Sequence, residues 1–281
     1  MLEPVRRSAP TRFNPDKSAT YRDGSAEKNT HRRGYLKPHA YDASYYVSEG
    51  PASSLQSARI VVPTLISLLR PRSVIDVGCG SGAWLSAFSE NGVERILGLD
   101  GDHVDPSWLI IPKDCFRAVN LAKPFDVVGK FDLAISLEVA EHLPKKHARD
   151  FVRSLVNLAP FVVFSAAVPF QGGVRHVNEQ WPEFWQDLFA NSGYRSLDLI
   201  RKEFWKNAKV KYWYRQNMFL FAREDAISAN RTLLAATNDA DDLMLVQKAI
   251  LHYQMGVRSI LKQLPRSIWG AASRRVKRIL K

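Results

Sequence analysis

The chain has 281 residues, of which 46% are apolar and 11% aromatic, so it can bury one sizeable core with extensions, or at most two small domains. Its formal charge of +12 is concentrated at the ends, because residues 1–40 carry +5 and residues 265–281 carry +6, which leaves about +1 for the rest. The basic composition therefore says little about the substrate of the central region.

We expect neither a membrane-spanning segment nor a secretory signal peptide. The longest apolar stretches, 60–69 and 161–168, fall short of the roughly 20 residues that a bilayer span needs. Residues 1–10 lack the apolar run of about 7 to 15 residues of a signal peptide. The two cysteines, Cys79 and Cys115, fit a reducing compartment. We therefore expect a cytoplasmic protein.

Composition divides the chain into three regions. Residues 1–40 are polar and basic and have few periodic apolar positions, which predicts a flexible arm. Residues 41–224 have the patterns of one enzyme-sized domain, and residues 225–281 predict a helical extension.

Within the central region, apolar runs of strand length alternate with helical patterns. Strands are predicted near 73–77, 95–99, 116–119, 131–137, 160–168, 196–200 and 217–222. Helices are predicted at 57–69, with Pro63 as its start or kink, and near 83–90, 106–109, 144–158 and 182–191. The alternation predicts an α/β fold with a doubly wound, mostly parallel seven-stranded sheet that is covered on both faces.

The C-terminal extension has two parts. Apolar residues recur at spacings of three and four from Leu243 to Leu264, a heptad pattern that fits either a helix packed on its own domain or the seam of a homodimer. Residues 265–281 mix apolar and basic side chains, so they form either a solvated tail or a helix that lies on an anionic membrane surface.

A glycine-rich turn directly follows the first predicted strand. Gly78, Gly80 and Gly82 let the backbone turn sharply and approach a ligand closely, and Asp76 places a carboxylate just before them. Because the run 78–83 also satisfies the Gly-x-Gly-x-x-Ala pattern of dinucleotide-binding folds, a nicotinamide enzyme is an alternative at this point.

Polar residues also follow the next predicted strands. Asp100 ends the second strand, 22 residues after Gly78, and a carboxylate there can accept hydrogen bonds from both hydroxyls of a ribose. Asn120 and Leu121 end the third strand, and the run 138–143, Glu-Val-Ala-Glu-His-Leu, follows the fourth.

Together, the runs 76–82 and 138–143 resemble class I, Rossmann-like S-adenosylmethionine-dependent methyltransferases, and the resemblance extends over about 57–222. It implies a methyl transfer with S-adenosylmethionine as cofactor, the methionine part lying against the glycine turn, the ribose on Asp100 and the adenine beside Asn120. The family more often has Asp in place of this Asn, although an amide can also hydrogen-bond to adenine. The implied cofactor-binding residues are Asp76, Gly78, Cys79, Gly80, Gly82, Asp100, Gly101, Asn120, Leu121, Leu137 and Glu138.

Two later runs, 172–182 and 213–217, resemble uncharacterised bacterial methyltransferases associated with polysaccharide or secondary-metabolite synthesis. This resemblance implies a glycan or small-molecule acceptor. Trp and Tyr rings can stack on a sugar or a base, and neighbouring polar side chains can orient it. The candidate acceptor-binding residues are Asn178, Glu179, Trp181, Tyr214 and Arg215.

Two histidines are candidates for the proton transfer that a hydroxyl acceptor requires. His142 and His176 follow predicted strands four and five, at the sheet edge where ligands bind in open α/β folds. Histidine titrates near neutral pH, so either side chain could act as a general base. A structural role for His142 is the competing interpretation.

The expected site holds no metal, but the spacing of four residues supports an alternative. On one helical turn, Glu138, Glu141 and His142 would share a face, and His176 could complete a site for Mg²⁺ or Mn²⁺. This arrangement resembles that of small-RNA 2′-O-methyltransferases.

Three functional hypotheses follow. The first is methyl transfer to a hydroxyl, or else an amine, of a sugar, glycan or other small metabolite. The second is a metal-assisted 2′-O-methyltransferase of RNA 3′ ends, in which the basic arms would bind phosphates. The third is a non-catalytic S-adenosylmethionine-binding scaffold that acts through its heptad helix and basic tail.

Overall fold

The computed structural model describes residues 49–236. The helices are α1 (Glu49–Leu69), α2 (Ala83–Glu90), α3 (Ala148–Leu158), α4 (Pro182–Ala190), α5 (Leu199–Phe204), α6 (Tyr212–Asn217), α7 (Glu224–Ala229) and α8 (Arg231–Ala236). The strands are β1 (Ser73–Val77), β2 (Arg95–Asp100), β3 (Phe116–Ala118), β4 (Leu133–Leu137), β5 (Phe161–Ser165), β6 (Tyr194–Leu197) and β7 (Phe219–Arg223). The predicted arm, heptad helix and basic tail lie outside the described residues and stay predictions.

The seven strands form one mixed sheet in the order β3-β2-β1-β4-β5-β7-β6. Strand β1 pairs in parallel with β2 and β4, and the parallel pairing continues to β3 on one side and to β5 on the other. Strand β7 runs antiparallel to both β5 and β6. The predicted α/β class and strand number are confirmed, but the sheet contains an antiparallel strand.

Both faces of the sheet are buried, as its apolar strands require. In β4, Leu133 and Ile135 contribute to a core that includes α1 and α2. Ala134 points the other way, into a second core that includes Phe151 of α3 and Phe189 of α4. The helices therefore cover the sheet on both sides and leave its carboxyl edge available for a ligand.

The structure corrects several of the sequence-based elements, including α1, which begins at Glu49 and contains Pro63 in its interior. The helix predicted near 106–109 is wrong, since this segment forms turns before a short 3₁₀ turn at Lys113–Cys115. The strand predicted at 196–200 ends at Leu197 because α5 begins at Leu199. Helices α5 and α6 are absent from the predicted elements, because six residues give too few turns to produce a clear helical period.

Helix α1 is a core helix of the domain. Its segment Ala52–Leu69 has the length and composition of a membrane span. However, Ala58, Val61 and Leu65 are fully buried in the core beneath α2 and the sheet. Of this window 28% is buried inside the domain, and partly buried residues such as Leu55, Ile60 and Ile66 pack against the same core.

Helices α7 and α8, the described start of the C-terminal extension, pack on the side of the sheet that α1 covers. Ile227 of α7 and Leu233 of α8 are buried in the core that contains α1. Between these helices, the side-chain amide of Asn230 donates a hydrogen bond to the carbonyl of Leu68 over 3.0 Å. These contacts join residues 224–236 to the central domain.

Candidate active site

A cavity of about 1020 Å³ lies at the carboxyl ends of the central strands. Its wall includes Asp76 from β1, Asp100 from β2 and Leu137 from β4. Strands β1 and β4 are adjacent although the chain has passed through β2 and β3 between them, so this is the topological switch point of the sheet. Pockets for drug-sized ligands occupy roughly 300–1,000 Å³, so this volume accommodates a nucleoside cofactor together with a small acceptor.

The glycine turn follows β1 and forms one wall of the cavity. Gly78 has φ +88°, and a Cβ atom at this position would lie 2.2 Å from a methyl group of Val139. No side chain fits there, so both the backbone conformation and the close approach require glycine. Gly82 has φ +84° but packs against Ile111 and is not on the cavity wall.

Two buried carboxylates lie next to this turn. Asp76 is 3% exposed, and no described residue donates a hydrogen bond to its carboxylate. Burial and the nearby charge of Asp100 raise its pKa well above the usual range. A cationic ligand group would remove that electrostatic cost.

Asp100 is arranged differently, because backbone groups support its carboxylate. It accepts hydrogen bonds from the N–H groups of Gly80 at 2.7 Å and Gly101 at 2.6 Å. Burial raises its pKa, and these two bonds oppose the rise. A carboxylate has about four acceptor positions, so capacity remains for ligand hydroxyls.

The wall beyond Asp100 is a mixed polar and apolar slot. It includes Asn120, Leu121 and Leu137, together with Cys79 from the glycine turn. The side-chain oxygen of Asn120 accepts a hydrogen bond from the N–H of Ala122, which holds the turn and leaves the amide NH₂ group for another partner. The slot therefore has one donor beside an apolar surface.

Glu138, just after β4, is held by two side-chain amides. Its two oxygens accept hydrogen bonds from Asn217 at 3.0 Å and Gln171 at 2.9 Å. Its backbone has φ +59°, which is uncommon for a residue other than glycine. Burial raises the pKa of Glu138, and the bonds to Asn217, Ser165 and Gln171 oppose the rise.

A histidine and a glutamate form a pair at the other end of the cavity. Nδ1 of His176 lies 2.9 Å from Oε1 of Glu179. Glu179 also accepts hydrogen bonds from the backbone N–H groups of Phe170 and Gly172, so one carboxylate fixes both the ring and the loop that carries it. The imidazole lies closely over Gly173, where a Cβ atom would be 2.2 Å from Nε2.

Three of the four alternative metal ligands converge beside this pair. Ligand atoms of Glu141, His142 and His176 all lie within 4.8 Å of one another. The predicted shared helical turn is wrong, because the 3₁₀ turn begins at Ala140 and Glu138 precedes it in a left-handed conformation. Glu138 therefore stands apart from the other three.

The electrostatics of this cluster are unusual. Glu141 is fully buried, and neither carboxylate oxygen has a hydrogen-bond partner among the described residues. Burial raises the pKa of Glu141 well above the usual range, and the charge of Glu138 adds to the rise. Nearby backbone N–H groups lower this pKa and so offset part of the rise. Burial and neighbouring His176 lower the pKa of His142 to about 4, so its imidazole is neutral at pH 7.

The other predicted site residues divide between the wall and its supports. Tyr214 is on the wall, but Asn178, Glu179, Trp181 and Arg215 are not. The side-chain amide of Asn178 donates to the carbonyl of Ala140 and so supports the histidine turn from behind. The Arg215 guanidinium donates to the carbonyl of Trp205. Trp181 lies at the surface before α4 and is 37% exposed.

Sequence analysis did not single out several residues that line or support the cavity. The Trp84 and Tyr214 rings meet edge to face with centroids 5.1 Å apart, and the hydroxyl groups of Ser54 and Tyr214 are 3.1 Å apart. Trp84 comes two residues after Gly82, so its position beside the glycine turn could have indicated a place on the cavity wall. Nothing local marked Ser54 or the two amides of Gln171 and Asn217, because their partners are distant in the chain.

Comparisons with known proteins agree with this geometry. Residues 55–207 match the family described as a methyltransferase domain. Among solved structures, the sugar N-methyltransferase KedS8 from Streptoalloteichus has the same fold, with a TM-score of 0.51 and 15% identity over 72% of this chain and 99% of that one. No curated protein sequence matches.

Two further solved structures are more distant in their backbone. The amino pentose methyltransferase CalS10 from Micromonospora echinaspora has a TM-score of 0.47 and 16% identity over 66% of this chain and 98% of that one. The methyltransferase domain of bacterial CtHen1 has a TM-score of 0.43 and 21% identity over 60% of this chain and 98% of that one. With TM-scores below 0.5, neither structure is evidence for the identity of the acceptor.

Proposed function

The chain belongs to the class I S-adenosylmethionine-dependent methyltransferase family, and we propose that it methylates a hydroxyl group of a sugar, a glycan or another small metabolite. The pairing of His176 with Glu179 at the acceptor end of the cavity carries this proposal. A cytoplasmic location is part of the same proposal, because both cysteines are free thiols, as expected in a reducing compartment.

The residues beside β1 and β2 fit S-adenosylmethionine, which supplies, when bound, a methyl group on a positively charged sulfur. Asp76, whose buried carboxylate has no donor of its own, would pair with the ammonium group of the methionine part. Asp100 would accept hydrogen bonds from the ribose hydroxyls, and the free NH₂ of Asn120 would face adenine. The close glycine turn would exclude water from between the backbone and the ligand.

His176 is the proposed general base. If Nδ1 donates to Glu179, the Nε2 lone pair is available to take a proton from the acceptor hydroxyl. Glu179 is a positioning residue, because it fixes the tautomer and the ring without reaching the cavity wall. His142, neutral at pH 7, packs edge to face on His176 with ring centroids 4.9 Å apart and limits its rotation.

The charge of the cavity wall favours an uncharged acceptor over a phosphorylated one. The wall contains five carboxylic side chains, and among the described residues Arg175 is its single Lys or Arg. A phosphate group needs cationic partners or backbone N–H groups when it leaves water. Sugar hydroxyls need donors and acceptors, which this wall provides.

Methyl transfer to a panel of glycosides tests the proposal. Replacing His176→Gln should lower kcat by roughly 10²- to 10⁴-fold, the usual contribution of a general base, while the affinity for S-adenosylhomocysteine is unchanged. Glu179→Gln should lower kcat less, because the His176 ring loses the acceptor that fixes its tautomer. His147→Gln, outside the cavity wall, is the control. Full turnover by the His176→Gln protein would overturn the base assignment.

The cluster of Glu141, His142 and His176 favours a second candidate, metal-assisted methylation of a 2′-hydroxyl at an RNA 3′ end. Two imidazoles and a carboxylate suit a divalent transition metal. The oxygens of Glu141, which have no hydrogen-bond partner among the described residues, would act as ligands of the ion. Such an ion would offset the negative wall and admit a nucleotide. In this candidate His176 binds the metal instead of acting as a base.

A titration with Mn²⁺ separates the two candidates. The metal-assisted reaction requires activity that is lost with a chelator and restored by Mn²⁺, together with loss of Mn²⁺ binding in the Glu141→Gln protein. The matched control is Glu183→Gln, on helix α4 and outside the cavity wall. Turnover of glycosides that is insensitive to chelator would leave the first candidate alone.

A further inference from the structure

The loop between β5 and α4, residues 166–181, presents a concentration of exposed apolar side chains. Seven large apolar residues are exposed among the residues that the structure describes, and four of them lie in this loop. Their exposed fractions are 63% for Phe170, 60% for Val174, 62% for Val177 and 37% for Trp181. Apolar exposure concentrated in one loop marks a candidate binding surface, whereas single exposed residues are ordinary.

This loop is held in place, so the exposure is a property of a defined structure. Glu179 accepts backbone hydrogen bonds from both Phe170 and Gly172, and the N–H group of Val177 donates to the carbonyl of Glu141. Phe170 has φ +71° and Arg175 has φ +60°, conformations that cost free energy for residues with side chains. Strain of this kind is concentrated at ligand sites.

The same loop forms part of the cavity wall. Its segment 171–176 lines the cavity, and Val174 belongs both to this wall and to the exposed apolar group. Val174 therefore connects the exposed apolar residues of the loop with the cavity, two residues before His176 in the chain. A ligand whose polar part enters the cavity would extend naturally over the loop.

We propose that Phe170, Val174, Val177 and Trp181 bind an apolar chain of the acceptor, while its hydroxyl-bearing part enters the cavity beside His176. The acceptor is thus an amphiphile such as an alkyl or acyl glycoside, an inference that rests on the proposed methyl transfer to a sugar. The charge of the loop agrees with this occupant. Residues 166–181 contain one arginine and one glutamate, whereas a surface that docks on anionic lipid carries an excess of basic residues.

Two glycosides that differ only in their apolar chain test this inference. Octyl β-glucoside, below its micelle-forming concentration, and methyl β-glucoside are titrated into the full chain saturated with S-adenosylhomocysteine, with binding followed by calorimetry. We expect the octyl compound to bind roughly tenfold or more tightly, since burial of each methylene strengthens binding. Equal affinity for the two probes, or no affinity for either, would overturn the proposal.

Loop variants locate the binding surface. Phe170→Ser with Val177→Ser should remove most of the difference between the two glucosides and leave the affinity for S-adenosylhomocysteine unchanged. Val128→Ser is the matched control, since Val128 is 92% exposed and lies outside both the loop and the cavity wall. If the preference for the octyl compound survives the double substitution, the octyl chain binds elsewhere and the assignment to this loop is wrong.

Two further outcomes distinguish this inference from the proposed reaction. Preferential binding of the octyl compound without methylation of any glycoside would contradict the reaction and support the apolar site. Acceptor-free phosphatidylglycerol vesicles address the membrane instead. If the wild-type chain binds these vesicles and the double variant does not, the loop is a membrane surface and the amphiphile proposal is wrong.

Discussion

The side-chain amide of Asn217 donates a hydrogen bond to Glu138 over 3.0 Å and thereby joins two residues that are 79 positions apart. The same amide donates to the side-chain oxygen of Gln171 at 2.9 Å, and Gln171 donates to the other oxygen of Glu138. The three side chains form a closed hydrogen-bonded triangle at the end of β4. This triangle holds Glu138 in its left-handed conformation.

Replacing Asn217→Asp should destabilise the domain because it exchanges a donor for a second carboxylate. We expect a loss of roughly 1–3 kcal/mol at pH 8, the usual cost of a buried unsatisfied group, and a smaller loss at pH 5 as the carboxylate pair takes up a proton. Chemical denaturation at the two pH values measures both. Asn207→Asp, whose side chain acts through its oxygen alone, should change little. Equal losses at pH 5 and pH 8 would argue against charge repulsion.

Gly78→Ala and Gly92→Ala separate backbone strain from crowding. Both residues have φ near +88°, at +88° and +87°, but a Cβ would meet Val139 at Gly78 and nothing within 4 Å at Gly92. We expect Gly92→Ala to cost about 1 kcal/mol. Gly78→Ala should cost clearly more and abolish binding of S-adenosylhomocysteine. Adding Val139→Ala should recover part of the stability, and similar melting temperatures for both single variants would contradict the crowding argument.

The ion pair of Arg201 and Asp198 should be sensitive to loss of one partner. Two guanidinium nitrogens bind Asp198 at 2.8 and 2.6 Å, and the side chains are 1% and 0% exposed. Arg201→Met removes both guanidinium contacts from a buried carboxylate, so we expect a loss of about 3–5 kcal/mol in the free energy of unfolding. Arg195→Met breaks the solvent-exposed pair with Glu224 and should have a far smaller effect. Comparable losses would refute the dependence on burial.

The stability of the domain should depend on pH through His142. Its pKa falls from the ordinary 6.5 to about 4 on folding, chiefly through burial, so the unfolded chain binds the proton more readily. The stability from neutral His142 is therefore present above about pH 6.5 and is lost as the pH falls toward 4, by at most about 3 kcal/mol. The difference in unfolding free energy between the wild type and His142→Gln should narrow over this window. A constant difference from pH 7 to pH 4 would contradict the shift, and His147→Gln serves as control.

Local sequence determined the part of the cavity around the glycine turn. Asp76, the glycine turn and Asp100 lie within one strand-helix-strand unit, and such a unit places the carboxyl ends of its two parallel strands side by side. The order of residues along the chain therefore becomes their order around the ligand. For this reason β1, α2 and the residues that face the glycine turn could be predicted from a short stretch of sequence.

Tertiary structure decided the half of the cavity around Glu138 and His176. The amide donors to Glu138, the displacement of Glu138 from the predicted four-residue cluster and the antiparallel direction of β7 all depend on residues that are brought together from distant parts of the chain. Sequence spacing placed Glu138 on one helical turn with the cluster, but its positive φ turns it toward Asn217 instead. Side-chain periodicity reports on one element at a time. The contacts that fix a loop between elements depend on the packing of the whole domain, and such loops form the wall around His176.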